Sequence, residues 1–385
     1  MKYNFDELIN RRNTGCVKWD ESPSPDVIPL WVADMDFAVA PAIQEAILRR
    51  AQHPVFGYTY VQDDYYDAVI SWFQRRHHWT IQREWIQYTI GVVPAMSVAI
   101  KALTMHGEKV LILSPDYNCF FSSVKNNGCE VLESVLRFCH SNNRFEVDWP
   151  SFEACCADEK TTVFLLCNPH NPTGRIWTRE ELQRMADICH KHHVRIVSDE
   201  IHCELVMPGY TFCPMGTVDA EAIILNSPSK SFNIAGLMMA NIICQDAATR
   251  RRLNRAININ EVCDVNPFAP EAVKAAYNES EDWIDALNIY IHDNYRALCD
   301  FVAEHLPLWR VMPLEGTYLV WVDVSSVCCD SVATYCDHIL REARVWLNPG
   351  TMYGPQSGEG YLRINIACPR SLLLEALERI KNIKR

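Results

Sequence analysis

The 385-residue sequence lacks several features that would place it in other classes of protein. It has no apolar run long enough to span a bilayer, because stretches such as IILN and YLVWVDV are only strand-sized. Its first residues, MKYNFDELINRRN, contain no apolar signal-peptide core, so we expect no secretory signal. Its 36 Lys and Arg residues are outnumbered by 48 Asp and Glu residues, which gives a formal net charge of -12. We therefore expect no membrane or nucleic-acid partner.

Metal-binding cysteine motifs are also absent. The seventeen cysteines are scattered, odd in number, and never spaced as Cys-x-x-Cys. Two adjacent pairs, Cys155–Cys156 and Cys328–Cys329, match no zinc pattern. We predict no metal site, and we interpret most cysteines as buried small apolar residues of a reduced, cytoplasmic protein.

The middle of the chain alternates strands and helices, without repeats or low-complexity tracts. A helix is predicted over 178–193, where Thr178 and Glu181 form a capping-box pattern. Strands are predicted at 108–114, 161–169, 194–200 and 222–230. This order predicts a mostly parallel sheet covered by helices on both faces. A long helical stretch at 281–306 then leads into a smaller α+β region.

Chemically distinctive segments follow four predicted strands. They are GVVPA (91–95), NPHNPTG (168–174), SDEIH (198–202) and SPSKSFN (227–233). Each segment alone has an ordinary explanation, such as an Asn-Pro turn, a helix cap or a solvated lysine. Ligands of open α/β sheets bind at the carboxyl ends of strands, so the four segments together predict a shared ligand.

Pyridoxal 5'-phosphate (PLP) is a ligand that requires this combination of groups. A lysine amine forms a Schiff base with its aldehyde, and a carboxylate keeps its pyridine nitrogen protonated. A helix N-terminus and nearby hydroxyls can hold its phosphate. The sequence therefore predicts a PLP enzyme.

With these motifs, the sequence resembles fold-type I PLP enzymes of the class I/II aminotransferase superfamily. Within it, the sequence most resembles the MalY/PatB-type cystathionine β-lyases and the cystalysin-like C–S lyases. Further matching motifs are WVADMDF (31–37), FGYT (56–59), EGTY (315–318) and YLRINIACPR (361–370), so the resemblance covers nearly the whole chain.

The resemblance implies the α/β aspartate aminotransferase fold and a homodimer. A large PLP-binding domain, 48–282, would contain a mostly parallel seven-stranded sheet. A small α+β domain would combine 1–47 with 283–385. Each active site would be built at the dimer interface.

The resemblance also implies roles for individual residues. Lys230 would form the Schiff base and remove the substrate Cα proton, Asp199 would face the pyridine nitrogen, and Arg363 would clamp the substrate carboxylate. Asn171 would bond the ring O3', and Tyr117 would stack on the ring. The expected phosphate ligands are the amides of Val92 and Val93, the hydroxyls of Ser227 and Ser229, and Tyr58 of the neighbouring subunit.

Two departures from the aminotransferase pattern favour the lyase branch. Met238 stands eight residues after Lys230, where many aminotransferases have a phosphate-binding arginine. His202 stands three residues after Asp199, where they have a tyrosine, and we expect it in the active site. A third departure, Asn118-Cys119 where the branch often has a proline, leaves the leaving-group preference open.

The sequence thus predicts α,β-elimination from cystathionine, cysteine or related S-substituted cysteines. The products would be a thiol (homocysteine or hydrogen sulfide), pyruvate and ammonia. An aminotransferase on the same scaffold, or a MalY-like protein with an added regulatory binding role, remains an alternative. Trp31, Asp34 and Asp36 are expected on a substrate-side loop or in a structural role, with Asp36 capping a turn before Pro41.

Overall fold

The computed structural model describes residues 2–383. Its helices are α1 (Val17–Asp20), α2 (Pro41–Ala51), α3 (Asp63–His77), α4 (Val92–Leu103), α5 (Asn118–Asn126), α6 (Trp149–Cys156), α7 (Arg179–Lys191), α8 (Ala247–Ile259), α9 (Ala269–Glu279), α10 (Glu281–His305), α11 (Val332–Ala343) and α12 (Arg370–Lys381). Its strands are β1 (Ile28–Pro29), β2 (Ile86–Thr89), β3 (Lys109–Ser114), β4 (Glu130–Val135), β5 (Arg137–Cys139), β6 (Arg144–Glu146), β7 (Thr161–Cys167), β8 (Arg195–Asp199), β9 (Ile223–Asn226), β10 (Ala240–Ile243), β11 (Arg310–Val311), β12 (Leu319–Asp323), β13 (Val345–Trp346), β14 (Asn348–Pro349) and β15 (Tyr361–Asn365).

A seven-stranded sheet forms the centre, in the order β2-β10-β9-β8-β7-β3-β4. Only β10 runs antiparallel to its neighbours, which confirms the predicted mostly parallel sheet. The register sets Asp199 beside both Cys167 and Leu225. The loops that follow β7, β8 and β9 therefore leave the sheet at one edge.

Strand β7 shows why this sheet is covered on both faces. Val163 and Leu165 belong to a core cluster that contains residues of α4 and α8. Phe164 and Leu166, which point the opposite way, belong to the larger cluster on the other face. All four side chains are buried, so the uninterrupted apolar run reflects burial on both sides.

Helix α7 begins as predicted. Thr178 Oγ1 accepts the amide hydrogen of Glu181, and the Glu181 carboxylate accepts the amide hydrogen of Thr178. This capping box satisfies amides that a helix start leaves free. The helix turns the chain back to β8, which ends at Asp199.

The C-terminal part contains a four-stranded antiparallel sheet in the order β11-β12-β15-β14. Strand β1 pairs with β13, so the N-terminal segment returns to this part of the chain. The predicted domain boundaries at 47/48 and 282/283 fall inside α2 and α10, and this division stays a prediction. Of the helices within residues 2–383, none is long and apolar enough to cross a membrane.

Candidate active site

A cavity of about 240 Å³ lies at the edge of the sheet where β7, β8 and β9 end. Eight of the predicted site residues line it: Val92, Val93, Tyr117, Asn171, Asp199, His202, Ser229 and Lys230. Met238 lines it as well. The structure therefore brings the four separate sequence segments together around one space.

Asp199 ends β8 and is 4% exposed. Its Oδ1 accepts a hydrogen bond from the Ile201 amide at 3.1 Å. Burial raises the pKa of Asp199 to about 7, although the Ile201 amide and the charge of Lys230 act against this rise. A buried carboxylate is stabilised by a cationic partner, and the protonated pyridine nitrogen of PLP would supply one.

Lys230 follows β9, and its Nζ donates to the carbonyl oxygen of Ala33 at 2.6 Å. Burial lowers the pKa of Lys230; the Asp34 carboxylate opposes this effect, and the Arg363 charge adds to it. A lysine with a lowered pKa is more often neutral, as an amine must be to attack an aldehyde or accept a proton. Lys230 thus fits the predicted Schiff-base lysine.

The start of α4 forms one wall of the cavity. Gly91 precedes the helix with a φ of +150°, a conformation that other residues rarely adopt. The first amides of a helix have no intrahelical acceptor, so those of Val92 and Val93 are free to bind an anion. The residues present therefore fit the phosphate of PLP.

The two predicted phosphate-side serines lie in different environments. Ser229 lines the cavity. The Ser227 hydroxyl donates to the Met239 carbonyl at 2.6 Å and accepts the Ser229 amide hydrogen at 3.1 Å. Ser227 is thus engaged with backbone, and its phosphate contact stays a prediction.

Arg363 lies on β15 and is 3% exposed. Its Nη1 donates to Asn171 Oδ1 at 3.1 Å and its Nη2 to the Trp31 carbonyl at 2.7 Å. Its buried Nε has no hydrogen-bond partner among residues 2–383. Because a buried guanidinium is stabilised by an anion, Arg363 is suited to bind a substrate carboxylate.

His202 lies in the cavity wall, with its ring centroid 5.8 Å from that of Tyr318. Burial, together with the charges of Lys230 and Arg363, lowers the pKa of His202 to about 3. The imidazole is therefore neutral at physiological pH. Its Nδ1 has no partner within the described part of the chain, so it can bond a ligand in the cavity.

Tyr58 is not brought to the cavity of its own chain. Its side chain is 99% exposed, and the neighbouring Val55, Phe56 and Tyr60 are exposed as well. The only backbone bridge of this segment within residues 2–383 joins Thr59 to Val265. The phosphate role of Tyr58 stays a prediction that requires a second subunit.

The N-terminal residues Arg11 and Lys18 surround the WVADMDF segment, and no sequence pattern points to them. The suggested cap at Asp36 is wrong, because its carboxylate accepts from Lys18 at 2.7 Å and Trp19 at 2.8 Å. Helix α2 instead begins after Ala40, without a side-chain cap. Burial acts to raise the pKa of Asp36, but Lys18, Trp19 and Arg11 hold it below its usual value.

A comparison with known families decides the identity of the fold. The model of the family "Aminotransferase class I and II" matches residues 25–380. The chain belongs to this family. This aminotransferase-family chain is 37% identical to cystathionine beta-lyase PatB of Bacillus subtilis (strain 168), over 98% of the chain and 99% of PatB.

Two solved structures superimpose on this family member over nearly its whole length. A PLP-bound putative aminotransferase from Clostridium difficile 630 has a TM-score of 0.95 and 38% identity, covering 99% of each chain. Cystalysin from Treponema denticola, which contains PLP, has a TM-score of 0.95 and 34% identity, covering 99% of this chain and 98% of cystalysin. These findings confirm the predicted family and the fold-type I architecture.

Proposed function

We propose that this chain is a PLP-dependent carbon–sulfur β-lyase. It cleaves cystathionine, cysteine or a related S-substituted cysteine to a thiol, pyruvate and ammonia. The observation that carries this proposal is that Lys230 and Asn171 line one cavity, while the buried Arg363 lies behind it and donates to Asn171 Oδ1. The full-length similarity to a cystathionine beta-lyase and to cystalysin supports the lyase branch.

When bound, PLP supplies an electron sink that stabilises negative charge at the substrate Cα. The chain provides the groups that hold it. Asp199 would keep a proton on the pyridine nitrogen, and Asn171 would bond the ring oxygen. Tyr117 would pack against the ring, and the amides at the start of α4 would hold the phosphate.

Arg363 and Lys230 would act on different parts of the substrate. Arg363 would bind the α-carboxylate and so orient the Cα–H bond. Lys230 Nζ would accept the Cα proton, which its lowered pKa permits. Since the sulfur leaves from the adjacent carbon, no amino-group acceptor is needed.

Met238 and His202 favour elimination over amino transfer. Met238 lines the cavity with a side chain that carries no charge to bind the phosphate. Its backbone is left-handed, with a φ of +54°. Transamination on the same site remains the second candidate, because a structural relative at 38% identity is described as a putative aminotransferase.

We further propose that the enzyme is a cytoplasmic homodimer. The exposed apolar side chains of Val55, Phe56, Tyr58 and Tyr60 support a subunit interface. The cysteines support a reducing compartment, because all seventeen are free thiols and only Cys329 is exposed.

A substrate assay without a keto-acid acceptor tests the reaction. We expect cystathionine to give pyruvate and free thiol in equal amounts. The control, Lys230→Ala, should lose both products and the absorbance band of the PLP–lysine adduct. Transfer of the amino group to an added keto acid, without thiol release, would instead establish the aminotransferase alternative.

A further inference from the structure

The loop of residues 31–37 holds the free amine of Lys230. The carbonyl oxygen of Ala33 accepts from Lys230 Nζ at 2.6 Å and from the Tyr318 hydroxyl at 2.9 Å. Asn365 fixes both flanking carbonyls, donating to Val32 at 2.5 Å and to Asp34 at 2.6 Å. The Ala33 oxygen is therefore a positioned acceptor.

A charge cluster of Arg11, Lys18, Asp34 and Asp36 anchors the outer side of this loop. Arg11 reaches both Asp34 and Asp36 at 2.6 Å, and Lys18 Nζ lies 2.7 Å from Asp36. Lys18 is 0% exposed. Two cations and two carboxylates balance in charge; Lys18 and Asp36 are buried, whereas the Arg11 and Asp34 side chains are each 21% exposed.

Such a cluster needs an explanation other than stability. Taking ions out of water costs free energy that ion pairing often does no more than recover. Buried ion pairs are best attested as devices that fix one arrangement of the chain. Arg11 also donates to the Met35 carbonyl at 2.9 Å, so the cluster is hydrogen-bonded directly to the loop backbone.

We propose that Arg11, Lys18, Asp34 and Asp36 are positioning residues, which fix the loop so that the Ala33 carbonyl receives Lys230 whenever its amine is free. The inference rests on the proposed function, in which Lys230 is the reacting amine. That amine is free in the cofactor-free chain and again after a substrate amine displaces it from PLP. In both states the Ala33 oxygen holds Nζ at the cavity.

Asp34 adds an electrostatic effect to this geometry. Its carboxylate acts to raise the pKa of Lys230, against the larger opposing effect of burial. Arg11 pairs with that carboxylate at 2.6 Å and so moderates its influence. The same cluster therefore positions the amine and, through Asp34, contributes to its protonation.

Competitive acetylation of the cofactor-free protein, read at Lys230 by mass spectrometry across pH, tests this inference. In Arg11→Gln we expect the pH-independent acetylation rate of Lys230 to rise about tenfold, the factor that one hydrogen bond is worth. The apparent pKa of Lys230 should also rise, because the Asp34 charge loses its partner.

The adjacent arginine is a matched control. Arg12 donates to the backbone of Trp19 and Val27, at 3.0 and 2.8 Å, and within residues 2–383 it makes no hydrogen bond to the loop of residues 31–37. Arg12→Gln should therefore leave the labelling rate of Lys230 unchanged. Arg11→Lys, which keeps a positive charge, should label Lys230 more slowly than Arg11→Gln does. Equal labelling in Arg11→Gln and Arg12→Gln would overturn the proposal.

A second variant covers the case in which Arg11→Gln does not fold. Asn233 bonds the Met35 amide and carbonyl, each at 3.1 Å, and has a φ of +56°. Asn233→Gly removes these bonds but suits the backbone, so Lys230 should again label faster. The labelling needs no turnover, so a failed lyase assay would refute the proposed function without refuting this inference.

Discussion

At the scale of single residues, Asp199 links burial to cofactor binding. Burial raises its pKa to about 7, whereas an unfolded aspartate titrates near about 4. Between these pH values the folded, cofactor-free chain keeps a proton that the unfolded chain has lost. The contribution of Asp199 to the stability of the cofactor-free protein therefore falls as the pH rises through this window.

We expect Asp199→Asn to remove the Asp199 contribution, so that the Tm of the variant falls less with rising pH, because the amide keeps the shape of the side chain but has no charge to bury. Calorimetry of the cofactor-free wild type and variant between about pH 5 and about pH 8 measures how the Tm of each changes with pH. Glu200, whose pKa burial raises to about 8, should leave a residual slope in both proteins. An identical decline in Tm in wild type and variant would contradict the prediction.

PLP itself provides a control for the same measurement. A protonated pyridine nitrogen would pair with Asp199 and offset the cost of its buried charge. Loading wild type with PLP should therefore raise its Tm more at high pH than at low pH. Asp199→Asn should show little of this difference.

At the scale of elements, the start of α4 is the predicted binding site of the PLP phosphate. Gly91 precedes the helix, and Gly91, Val92 and Val93 line the cavity. A β-carbon at Gly91 would lie 3.5 Å from Pro94 Cδ, which is an ordinary contact. The restriction at this position is therefore the φ of +150°, not crowding.

We expect Gly91→Ala to raise the Kd for PLP by about tenfold to a hundredfold, as when a hydrogen bond to a charged group is lost. Titration of the cofactor-free protein measures this change. Gly107→Ala is the control, because Gly107 also has a positive φ, +85°, but lies beyond the other end of α4. An equal rise in the Kd for PLP in both variants would show that backbone strain alone weakens binding, wherever the glycine lies.

At the scale of the whole molecule, the exposed Tyr58 predicts that one chain does not complete its own site. Light scattering should give a mass of about 88 kDa, twice the 44.2 kDa of the chain. A monomer with full activity would rule out the interface and the role of Tyr58. Tyr60→Phe, at a neighbouring exposed tyrosine, should leave activity unchanged.

Hybrid dimers distinguish a Tyr58 that acts across the interface from one that acts within its chain. A dimer of one Lys230→Ala chain and one Tyr58→Phe chain contains one intact site if Tyr58 reaches the partner. Its activity should then be about half that of wild type, although both parent homodimers are impaired. If Tyr58 acts within its own chain, the hybrid should show no such recovery.

The sequence by itself determined the strands and the chemistry at their ends. The strand predicted at 161–169 is Thr161–Cys167, and that at 194–200 is Arg195–Asp199. Such apolar runs, buried on both faces, are recognisable locally, and the segments after them carry Lys230 and Asp199. The family and the fold followed from the resemblance that these motifs carry, and the named lyases among the relatives bear out the predicted function. The roles of the individual PLP-binding residues stay predictions.

Only the tertiary structure decided which distant residues support the site. The sequence did not identify β4 or the antiparallel β10, because β10 has only four residues and β4 mixes charged with apolar side chains. The contacts of Arg11 and Lys18 with Asp34 and Asp36 arise where the N-terminal segment folds back beside β15. Such ion pairs depend on chain packing and have no local periodicity or motif, so the sequence alone did not reveal them.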